Sequence, residues 1–375
     1  MKRTSSRLTD GREIIYYDLR DDTVREAVDR RPPEAAGAGA ISAEIRYDPL
    51  LSEWTAVTAH RQARTYHPPA DACPLCPTRD DERLSEIPEP DYDVVVFENR
   101  FPSFAGDAGR CEVVCFTSDH RASFASLTEE RARLVLDAWT DRTAELSRRP
   151  GTGQVFCFEN RGAEIGVTLQ HPHGQIYAYP FTTPRTARML RSAAEHATRT
   201  GGRNLFDDVV ADELADVRRV VLAADHWVAF VPHAARWPYE VHLYPRSRVP
   251  DLPALSEEAR AEFPRVYLEL LRRFDRIFGP GEPPTPYIAG WHQAPVRGHD
   301  GGDGDGVATV RADFALHLEL FTIRRTSGKL KFLAGSESGM NVFINDVPPE
   351  TAAERLREVA SDCKLPRGDA SRAPA

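Results

Sequence analysis

Cysteine is scarce in this chain, and long apolar runs are missing. Six cysteines in 375 residues are too few for a disulfide scaffold, which small secreted domains build from a high cysteine density. No run reaches the roughly 20 apolar residues that a membrane helix needs, so we expect no membrane contact. The N-terminal stretch MKRTSSRLTDGREIIYYDLRDD is charged and has no apolar signal-peptide core. These features favour a cytoplasmic protein.

Positive charge is also in deficit. The chain has 48 Lys and Arg against 57 Asp and Glu, a net charge of −9 at pH 7. General nucleic-acid binders usually show a basic excess, so no nucleic-acid partner is expected, whereas a nucleotide needs only a few local cations. The 41% hydrophobic content can form a substantial core, and the length allows two or three domains.

The order of the predicted elements repeats in the two halves of the chain. An ungapped alignment of 112–130 with 240–258 also shares Glu, Val, Leu, Glu and Glu. The repeat favours duplication of a β–β–α–β–β unit over chance similarity, and predicts an α+β fold with an antiparallel sheet flanked by helices. The pattern predicts strands at 93–99, 110–118, 154–160 and 166–180 around a helix at 126–149, then strands at 226–233, 239–247, 287–295 and 313–323 around a helix at 255–279.

Two segments lack such patterns. Residues 1–44 are charged and then rich in Pro, Ala and Gly, which predicts a flexible leader. Residues 297–311, RGHDGGDGDGVATVR, resemble a calcium loop superficially but lack its spacing, and we interpret them as a flexible surface insertion. The remaining chain is predicted to form two domains, 45–205 and 206–375.

The sequence Gln170-His171-Pro172-His173-Gly174-Gln175 carries the strongest chemical signal. In a strand, alternate side chains share a face, so His171, His173 and Gln175 are predicted to point the same way. Pro172 cannot donate to a sheet ladder, which favours an edge strand or the mouth of a site. Gly174 permits the close approach of a backbone or a phosphate. One imidazole could attack phosphorus while the Gln175 amide donates to the phosphoryl oxygens.

The cysteines divide into two groups. Cys73 and Cys76 form a C-x-x-C pattern, which is typical of two of the four ligands of a metal site. Two free thiols in a loop would give the same pattern. Cys111 and Cys115 share a predicted strand face with Val113. We therefore interpret Cys111 and Cys115 as core residues.

At the HPHGQ motif the chain resembles the galactose-1-phosphate uridylyltransferase family, a branch of the histidine-triad superfamily. The resemblance runs from about Ile45 to Arg357, and its motifs follow in the family's order: RYDPLLSEWTAVTAHRQAR, CPLC, VFENRF, VVCFTSDH, FENRGAEIG, HPHGQIYA, HWVAFVPHAARWP, AGWHQAP, LHLEL and GKLKFLAGSE. It implies duplicated histidine-triad-like units and a nucleotidyltransferase. The expected reaction converts UDP-glucose and galactose 1-phosphate to glucose 1-phosphate and UDP-galactose.

The resemblance also implies roles for individual residues. His173 matches the nucleophile that takes UMP from UDP-glucose as a uridylyl-histidine and passes it to galactose 1-phosphate, a ping-pong mechanism. Gln175 matches the glutamine that binds the transferring phosphoryl group. The family's structural zinc ligands match Cys73, Cys76, His120 and His171. A homodimer is implied as well.

A second family metal site is only partly matched. His292 and His317 match two of its histidines, but Glu319 stands where a third histidine is expected and Met189 where a glutamate is expected. Glu319 could still bind a metal, since a carboxylate is a competent ligand. The alternative is that the two histidines only hydrogen-bond the strands. The resemblance leaves the second metal open.

Nucleotide contacts are implied on several segments, with arginine suited to the diphosphate and aromatic rings to uracil. Arg100 departs from the pattern, because it replaces an acidic residue near the ribose. The matched contacts are Arg61, Arg64, Phe97, Asn99, Phe101, Asn160, Gly166, Lys331, Phe332 and Glu337.

Two other functions are compatible with the motif. One is an adenylyl- or dinucleotide-transferring phosphorylase of the same superfamily, which would also use a histidine nucleophile. The other is a zinc-stabilised nucleotide-binding protein without turnover. The segments AGWHQAP and GKLKFLAGSE favour the uridylyltransferase, and the intact HPHGQ motif disfavours a pure binder.

Overall fold

The computed structural model describes residues 1–32, 44–59, 67–80, 83–297 and 310–361. The chain divides into two compact units. Unit 1 comprises Met1–Phe158, Val167–Ala187 and Pro295–Val307, and unit 2 comprises Glu159–Gly166, Arg188–Ala294 and Ala308–Ala375. The chain passes between the units more than once, so these limits differ from the predicted 45–205 and 206–375.

Unit 1 is built on an antiparallel sheet with one long helix. The sheet order is β1-β2-β5-β6-β8-β7, and a separate hairpin pairs β3 with β4. Helix α1 begins at its N-cap Thr128, whose side chain accepts from the Arg131 N–H. The elements are β1 Lys2–Arg7, β2 Glu13–Asp18, β3 Glu44–Asp48, β4 Glu53–Val57, β5 Val94–Glu98, β6 Arg110–Cys115, α1 Glu129–Ser147, β7 Gln154–Arg161, which runs on into unit 2, and β8 His173–Tyr179.

The N-terminal segment is part of this sheet. Strand β2 pairs with β1 on one side and β5 on the other. Ile14 and Tyr16 belong to an apolar cluster on one face, while the Tyr17 hydroxyl donates to Asp141 of α1 at 2.6 Å on the other. The prediction of a flexible leader over 1–44 is therefore wrong for residues 1–32. The EIIYYD run is apolar enough to be buried on both faces.

Unit 2 has its own antiparallel sheet, with the order β12-β13-β11-β10-β9. Helix α4 begins at N-cap Ser256, which accepts from the Ala259 N–H. The elements are α2 Pro184–Thr200, whose first residues lie in unit 1, α3 Leu205–Asp216, β9 Val220–Ala223, β10 Trp227–Phe230, β11 Tyr239–Pro245, α4 Glu257–Arg276, β12 Tyr287–His292, β13 His317–Thr322, β14 Arg324–Thr326, β15 Lys329–Leu330, α5 Gly335–Met340 and α6 Pro349–Glu358.

The two units share one motif, which confirms the predicted α+β class with repeated β–β–α–β–β elements. In unit 1, β5–β6–α1–β7–β8 has the strand order β5-β6-β8-β7, and in unit 2, β10–β11–α4–β12–β13 has the matching order β10-β11-β13-β12. Cys111 and Cys115 are fully buried, as expected of core residues.

The predicted residue alignment holds at the helix caps but not in the strands. Glu112 hydrogen-bonds Arg142 of α1 at 2.8 Å and so faces the helix. Glu240 instead bonds His242 at 2.9 Å on the opposite face of its sheet. His242 is the counterpart of Val113. Val113 pairs with Gln175 and His242 pairs with Glu319, and these two partners are each the third residue in the fourth strand of the motif. Matching Glu112 with Glu240 is therefore wrong by one position.

The predicted surface insertion and the predicted lack of membrane helices were also compared with the structure. Most of the insertion at 297–311 lies outside the described residues. Among the helices that the structure describes, none is long and apolar enough to cross a membrane.

Candidate active site and metal clusters

The HPHGQ motif opens an interior strand of the unit 1 sheet. Strand β8 begins at His173, so His171 and Pro172 precede it. It lies between β6 and β7, and the predicted edge position is therefore wrong. Pro172 has no N–H for the ladder, but it stands just outside the strand, where its carbonyl accepts from Phe116 N–H at 3.2 Å.

His173 is held in one orientation by a backbone carbonyl. Its Nδ1 lies 2.7 Å from the His171 carbonyl oxygen. Because a carbonyl only accepts, Nδ1 must carry the hydrogen and Nε2 keeps its lone pair. Burial lowers the pKa of His173 below 6.5, which favours the neutral imidazole. A neutral ring with an oriented lone pair is the form that can attack phosphorus.

Gln175 shares the face of His173, since alternate strand residues point the same way. His173 pairs with Cys115 and Gln175 with Val113. The Gln175 Oε1 accepts from the Tyr177 hydroxyl at 3.2 Å, so the amide NH₂ is oriented away from that contact. The predicted common face therefore holds for His173 and Gln175. His171 lies before the strand and does not follow its alternation.

Gly174 is required by close packing on the opposite face. A Cβ at this position would lie 2.8 Å from the Phe158 carbonyl oxygen and 2.9 Å from the Phe116 ring. A real Cβ does not approach a backbone oxygen that closely. The predicted close approach is confirmed, and it is made by the neighbouring strand β7.

The four predicted zinc ligands come together in unit 1. Cys73, Cys76, His120 and His171 place their donor atoms within 4.8 Å of one another. Cys76 Sγ lies 3.3 Å from His120 Nδ1 and 3.6 Å from His171 Nδ1. The hydrogen bond from the Cys76 thiol lowers the pKa of Cys73, which favours a thiolate there. Two sulfurs and two imidazole nitrogens in one cluster fit a tetrahedral zinc site.

The local chain explains why these donors converge. A short 3₁₀ turn at Ala70–Ala72 precedes the C-x-x-C loop, and Cys76 N–H bonds the Cys73 carbonyl at 3.3 Å. This tight turn places both sulfurs on one side. His120 follows β6, and His171 stands just before the neighbouring strand β8.

A second cluster lies in unit 2, on the sheet face opposite α4. Glu319 Oε2 is 3.3 Å from His292 Nε2, and Oε1 is 3.7 Å from the Nε2 atoms of both His242 and His317. Glu240 accepts from His242 at 2.9 Å. Burial alone would raise the pKa of Glu319, but the imidazoles of His292 and His242 outweigh it and hold that pKa well below 4.5.

The tautomer of His317 tests whether a cation fits this cluster. Its Nδ1 lies 2.8 Å from the Ala315 carbonyl, so Nδ1 carries the hydrogen and Nε2 has a lone pair facing Glu319. Burial lowers the pKa of His317 to about 4, so the ring is neutral. A lone pair and a carboxylate oxygen repel each other unless a cation lies between them. Met189 supplies no donor; it packs against the apolar cluster around Phe206.

The predicted nucleotide contacts fall into three groups. Arg61 and Arg64 lie outside the described residues. In unit 1, Phe97 pairs with Val113, which in turn pairs with Gln175. Asn99 Oδ1 accepts from the Phe101 N–H at 2.8 Å and so shapes the turn after β5.

The remaining contacts belong to unit 2. Asn160 is the last residue but one of β7, and Gly166 closes a 3₁₀ turn at φ 81°. Lys331 donates to Glu337 at 2.8 Å, and both side chains are buried. Phe332 is 73% exposed. The nucleotide-binding role of these residues stays a prediction.

Sequence reasoning missed Tyr92, His242 and Glu240. The Tyr92 hydroxyl lies 2.8 Å from His171 Nε2, but Tyr92 precedes strand β5, so alternation gives no signal for it. His242 could have been found, because in YEVHLYP the polar residues Glu240 and His242 alternate with the buried Val241 and Leu243.

Comparison with known proteins identifies the family of the chain. A model of the galactose-1-phosphate uridyl transferase N-terminal domain matches residues 103–183, and one of the C-terminal domain matches residues 189–366. The chain is 64% identical to the galactose-1-phosphate uridylyltransferase of Streptomyces lividans, over 96% of this chain and 98% of the relative. It is 36% identical to that of Thermotoga maritima, over 84% and 98%.

Solved structures give the same result. A structure described as that of a uridylyltransferase superimposes with a TM-score of 0.69 at 30% identity, covering 84% of this chain and 98% of the other. An ADP-glucose phosphorylase from Arabidopsis thaliana gives a TM-score of 0.64 at 21% identity, covering 85% and 99%. At that identity the second likeness shows the fold alone.

Proposed function

The chain belongs to the galactose-1-phosphate uridylyltransferase family, and on this premise we propose that His173 is the nucleophile through which it transfers UMP. The activity itself, a UDP-glucose–hexose-1-phosphate uridylyltransferase, follows from the 64% identity with its Streptomyces lividans relative and from both family domains. We further propose UDP-glucose and galactose 1-phosphate as the substrates. The observation that carries the role of His173 is its Nδ1–H bond to the His171 carbonyl.

The proposed reaction has two displacements at the α-phosphorus. His173 Nε2 forms a bond to this phosphorus, and the bond to glucose 1-phosphate breaks, so that glucose 1-phosphate leaves with the bridging oxygen. A phosphate oxygen of galactose 1-phosphate then attacks the uridylyl-histidine, and the N–P bond breaks. Nδ1–H stays bonded to the His171 carbonyl throughout, which stabilises the charge that the ring gains. The Gln175 amide would donate to non-bridging oxygens.

Intact mass after addition of UDP-glucose alone tests this proposal. The sample is kept at neutral to alkaline pH, because phosphoramidates are acid-labile, and His173→Asn serves as the control. We expect a uridylyl-sized adduct on the native chain and none on the variant, with exchange activity lost in the variant. An adduct or appreciable exchange in His173→Asn would remove His173 from this role.

The same experiment separates the two alternatives. A nucleotidyl adduct formed from ATP or a dinucleotide, and none from UDP-glucose, would favour the adenylyl- or dinucleotide-transferring phosphorylase. Binding of UDP-glucose with no adduct and no exchange would favour the nucleotide-binding protein without turnover. The cytoplasmic location predicted from the sequence stays part of this proposal.

We propose that Cys73, Cys76, His120 and His171 hold a structural zinc ion. It would fix the C-x-x-C loop to the segment before β8, and a four-ligand site leaves no open position for substrate. Cys73→Ser should lower zinc content and stability together. Cys157→Ser is the matched control. This buried thiol does not belong to the metal cluster, and its sulfur lies 3.7 Å from the Thr143 hydroxyl. Unchanged zinc content in Cys73→Ser would remove it from the site.

We also propose a second metal in unit 2, held by His292, His317 and Glu319, while His242 keeps its hydrogen bond to Glu240. The Glu319 oxygens that face the Nε2 atoms of His292 and His317 support it. Elemental analysis should find one metal fewer per chain in Glu319→Ala than in the native protein. Equal metal content would favour the alternative in which the histidines only hydrogen-bond the strands.

A homodimer is the proposed assembly. Several apolar side chains in the C-terminal part of unit 2 are exposed to solvent, and exposed apolar patches commonly mark interfaces between proteins. Sedimentation should show a dimer that Met340→Glu weakens, whereas a monomer at all concentrations would refute it. The exposed residues are Phe332, Leu333, Met340, Val342 and Ile344.

A further inference from the structure

We propose that Tyr92 is a positioning residue, which fixes the imidazole of His171 toward the cysteine pair and thereby steadies the carbonyl that orients His173. The inference deepens the proposed function and rests on its metal site. Tyr92 is not a ligand in the proposed cluster, and no motif of the sequence points to it.

Tyr92 is buried beside the metal cluster. Its side chain is 2% exposed. Its hydroxyl interacts with the Cys115 thiol of β6 and also contacts two segments that are far apart in sequence. The hydroxyl oxygen lies 2.8 Å from His171 Nε2 and 3.1 Å from the Leu75 carbonyl oxygen. Leu75 is one of the two residues between the cysteines of the C-x-x-C loop. One hydroxyl group therefore joins that loop to the segment before the nucleophile.

The hydrogen positions follow from the acceptors. His171 Nε2 also lies 2.8 Å from the Thr117 carbonyl oxygen, and a carbonyl only accepts, so Nε2 must carry the hydrogen. That N–H is shared between the Thr117 carbonyl and the Tyr92 oxygen. The Tyr92 hydroxyl hydrogen then donates to Leu75. Every donor in this arrangement has an acceptor.

This arrangement leaves the other nitrogen of His171 available. Nδ1 is unprotonated and lies 3.6 Å from Cys76 Sγ, on the side of the proposed zinc. A partner that fixes the tautomer and the ring orientation of a ligating histidine strengthens metal binding, and its loss typically costs 10- to 100-fold in affinity or activity. The Thr117 carbonyl alone would keep the tautomer but not tie the ring to the cysteine loop.

The same histidine connects the cluster to the nucleophile. The His171 carbonyl accepts the Nδ1–H of His173 at 2.7 Å. A shift of the His171 backbone therefore moves the acceptor that directs the His173 lone pair. Near-attack geometry is sensitive to such shifts, so the variant should lose turnover and keep substrate affinity.

The test compares Tyr92→Phe with Tyr16→Phe. Both variants remove one hydroxyl from the same apolar cluster, but Tyr16 lies under the Arg25 guanidinium, at 5.0 Å, on strand β2. Zinc release to a chromogenic chelator is followed together with kcat and KM for UDP-glucose. We expect Tyr92→Phe to release zinc roughly 10-fold faster or more and to lower kcat with KM unchanged, also with zinc in excess. Tyr16→Phe should match the native protein in all three.

Each other outcome overturns the inference in a recognisable way. Zinc release and kcat in Tyr92→Phe equal to those of Tyr16→Phe would show that the hydroxyl positions nothing. Full recovery of kcat with excess zinc would refute the link to His173. If the native chain forms the uridylyl adduct but holds no zinc, the proposed metal site fails and this inference fails with it, while the role of His173 stands.

Discussion

Replacement of Ile15 by alanine tests whether the N-terminal segment is a core strand. Ile15 is 1% exposed and pairs with Ser5 of β1 and Val96 of β5, so the surrounding chain cannot collapse easily onto the space left behind. Ile-to-Ala changes in such sites cost about 2–5 kcal/mol. Because each 1.4 kcal/mol changes an equilibrium constant tenfold, the ratio of unfolded to folded protein should increase by a factor between about 30 and several thousand. The loss of about 2–5 kcal/mol is a large part of the roughly 5–15 kcal/mol that stabilises a typical domain.

Urea unfolding of Ile15→Ala measures this loss. A lower midpoint with an unchanged slope shows lost stability rather than an altered denatured state. Val28→Ala is the matched control, because Val28 lies in the same N-terminal segment but is 74% exposed, and its loss should stay within about 0.5 kcal/mol. If Ile15→Ala lost as little stability as Val28→Ala, residues 1–32 would behave as a flexible leader, and the pairing of β2 with β5 would not contribute to the stability of unit 1.

Three further changes probe buried positions. Gly174→Ala should lower activity more than about 10-fold, because its Cβ would lie 2.8 Å from the Phe158 carbonyl oxygen and β8 must shift; native kinetics would contradict this. Glu112→Gln removes the buried carboxylate that pairs with both Arg142 and Arg110, and leaves Arg142 with the more exposed Glu145. It should cost about 3 kcal/mol in urea unfolding, the low end for a broken buried pair, and a loss below about 1 kcal/mol would refute it. Burial raises the pKa of Glu159 from 4.5 to about 7. Protonated Glu159 therefore contributes stability to the fold that is fully present below pH 4.5 and is lost as the pH rises through 7. Glu159→Gln should remove roughly 3 kcal/mol of this pH dependence, and an unchanged stability profile against pH would contradict the shift.

Local patterns predicted the strands and the long helix of the repeated motif in both units. The helix at 126–149 appears as Glu129–Ser147, with Thr128 as its cap, because caps and 3.6-residue periodicity are local signals. The same pattern misjudged residues 1–44. Charged flanks and a Pro- and Gly-rich stretch masked the short apolar run Ile14-Ile15-Tyr16-Tyr17, whose burial depends on pairing with β5, about 80 residues away in sequence.

The candidate site shows the same limit. Cys73, Cys76, His120 and His171 could be matched through motifs, and the structure brings all four together. Tyr92 could not, because its role depends on a hydroxyl reaching two other segments rather than on strand alternation. The edge position inferred for Pro172 failed for a related reason. A proline is excluded from a ladder, but one residue before the strand it removes no ladder bond.

Duplication gives the two units similar histidines, and the two histidines differ in the charge of one neighbouring side chain. His173 and His317 each begin the fourth strand of their motif, and each Nδ1 bonds the carbonyl two residues earlier, at 2.7 and 2.8 Å. Two residues further along the same face, unit 1 has Gln175 and unit 2 has Glu319. An amide donates to phosphoryl oxygens, whereas the Glu319 carboxylate, whose pKa is held well below 4.5, repels them. The lone pair of His317 therefore faces an anion, which suits a cation and disfavours a nucleotide. Among the described residues, the oriented imidazole of unit 1 has a neutral amide at this position, which supports the proposal that His173 carries the transfer chemistry.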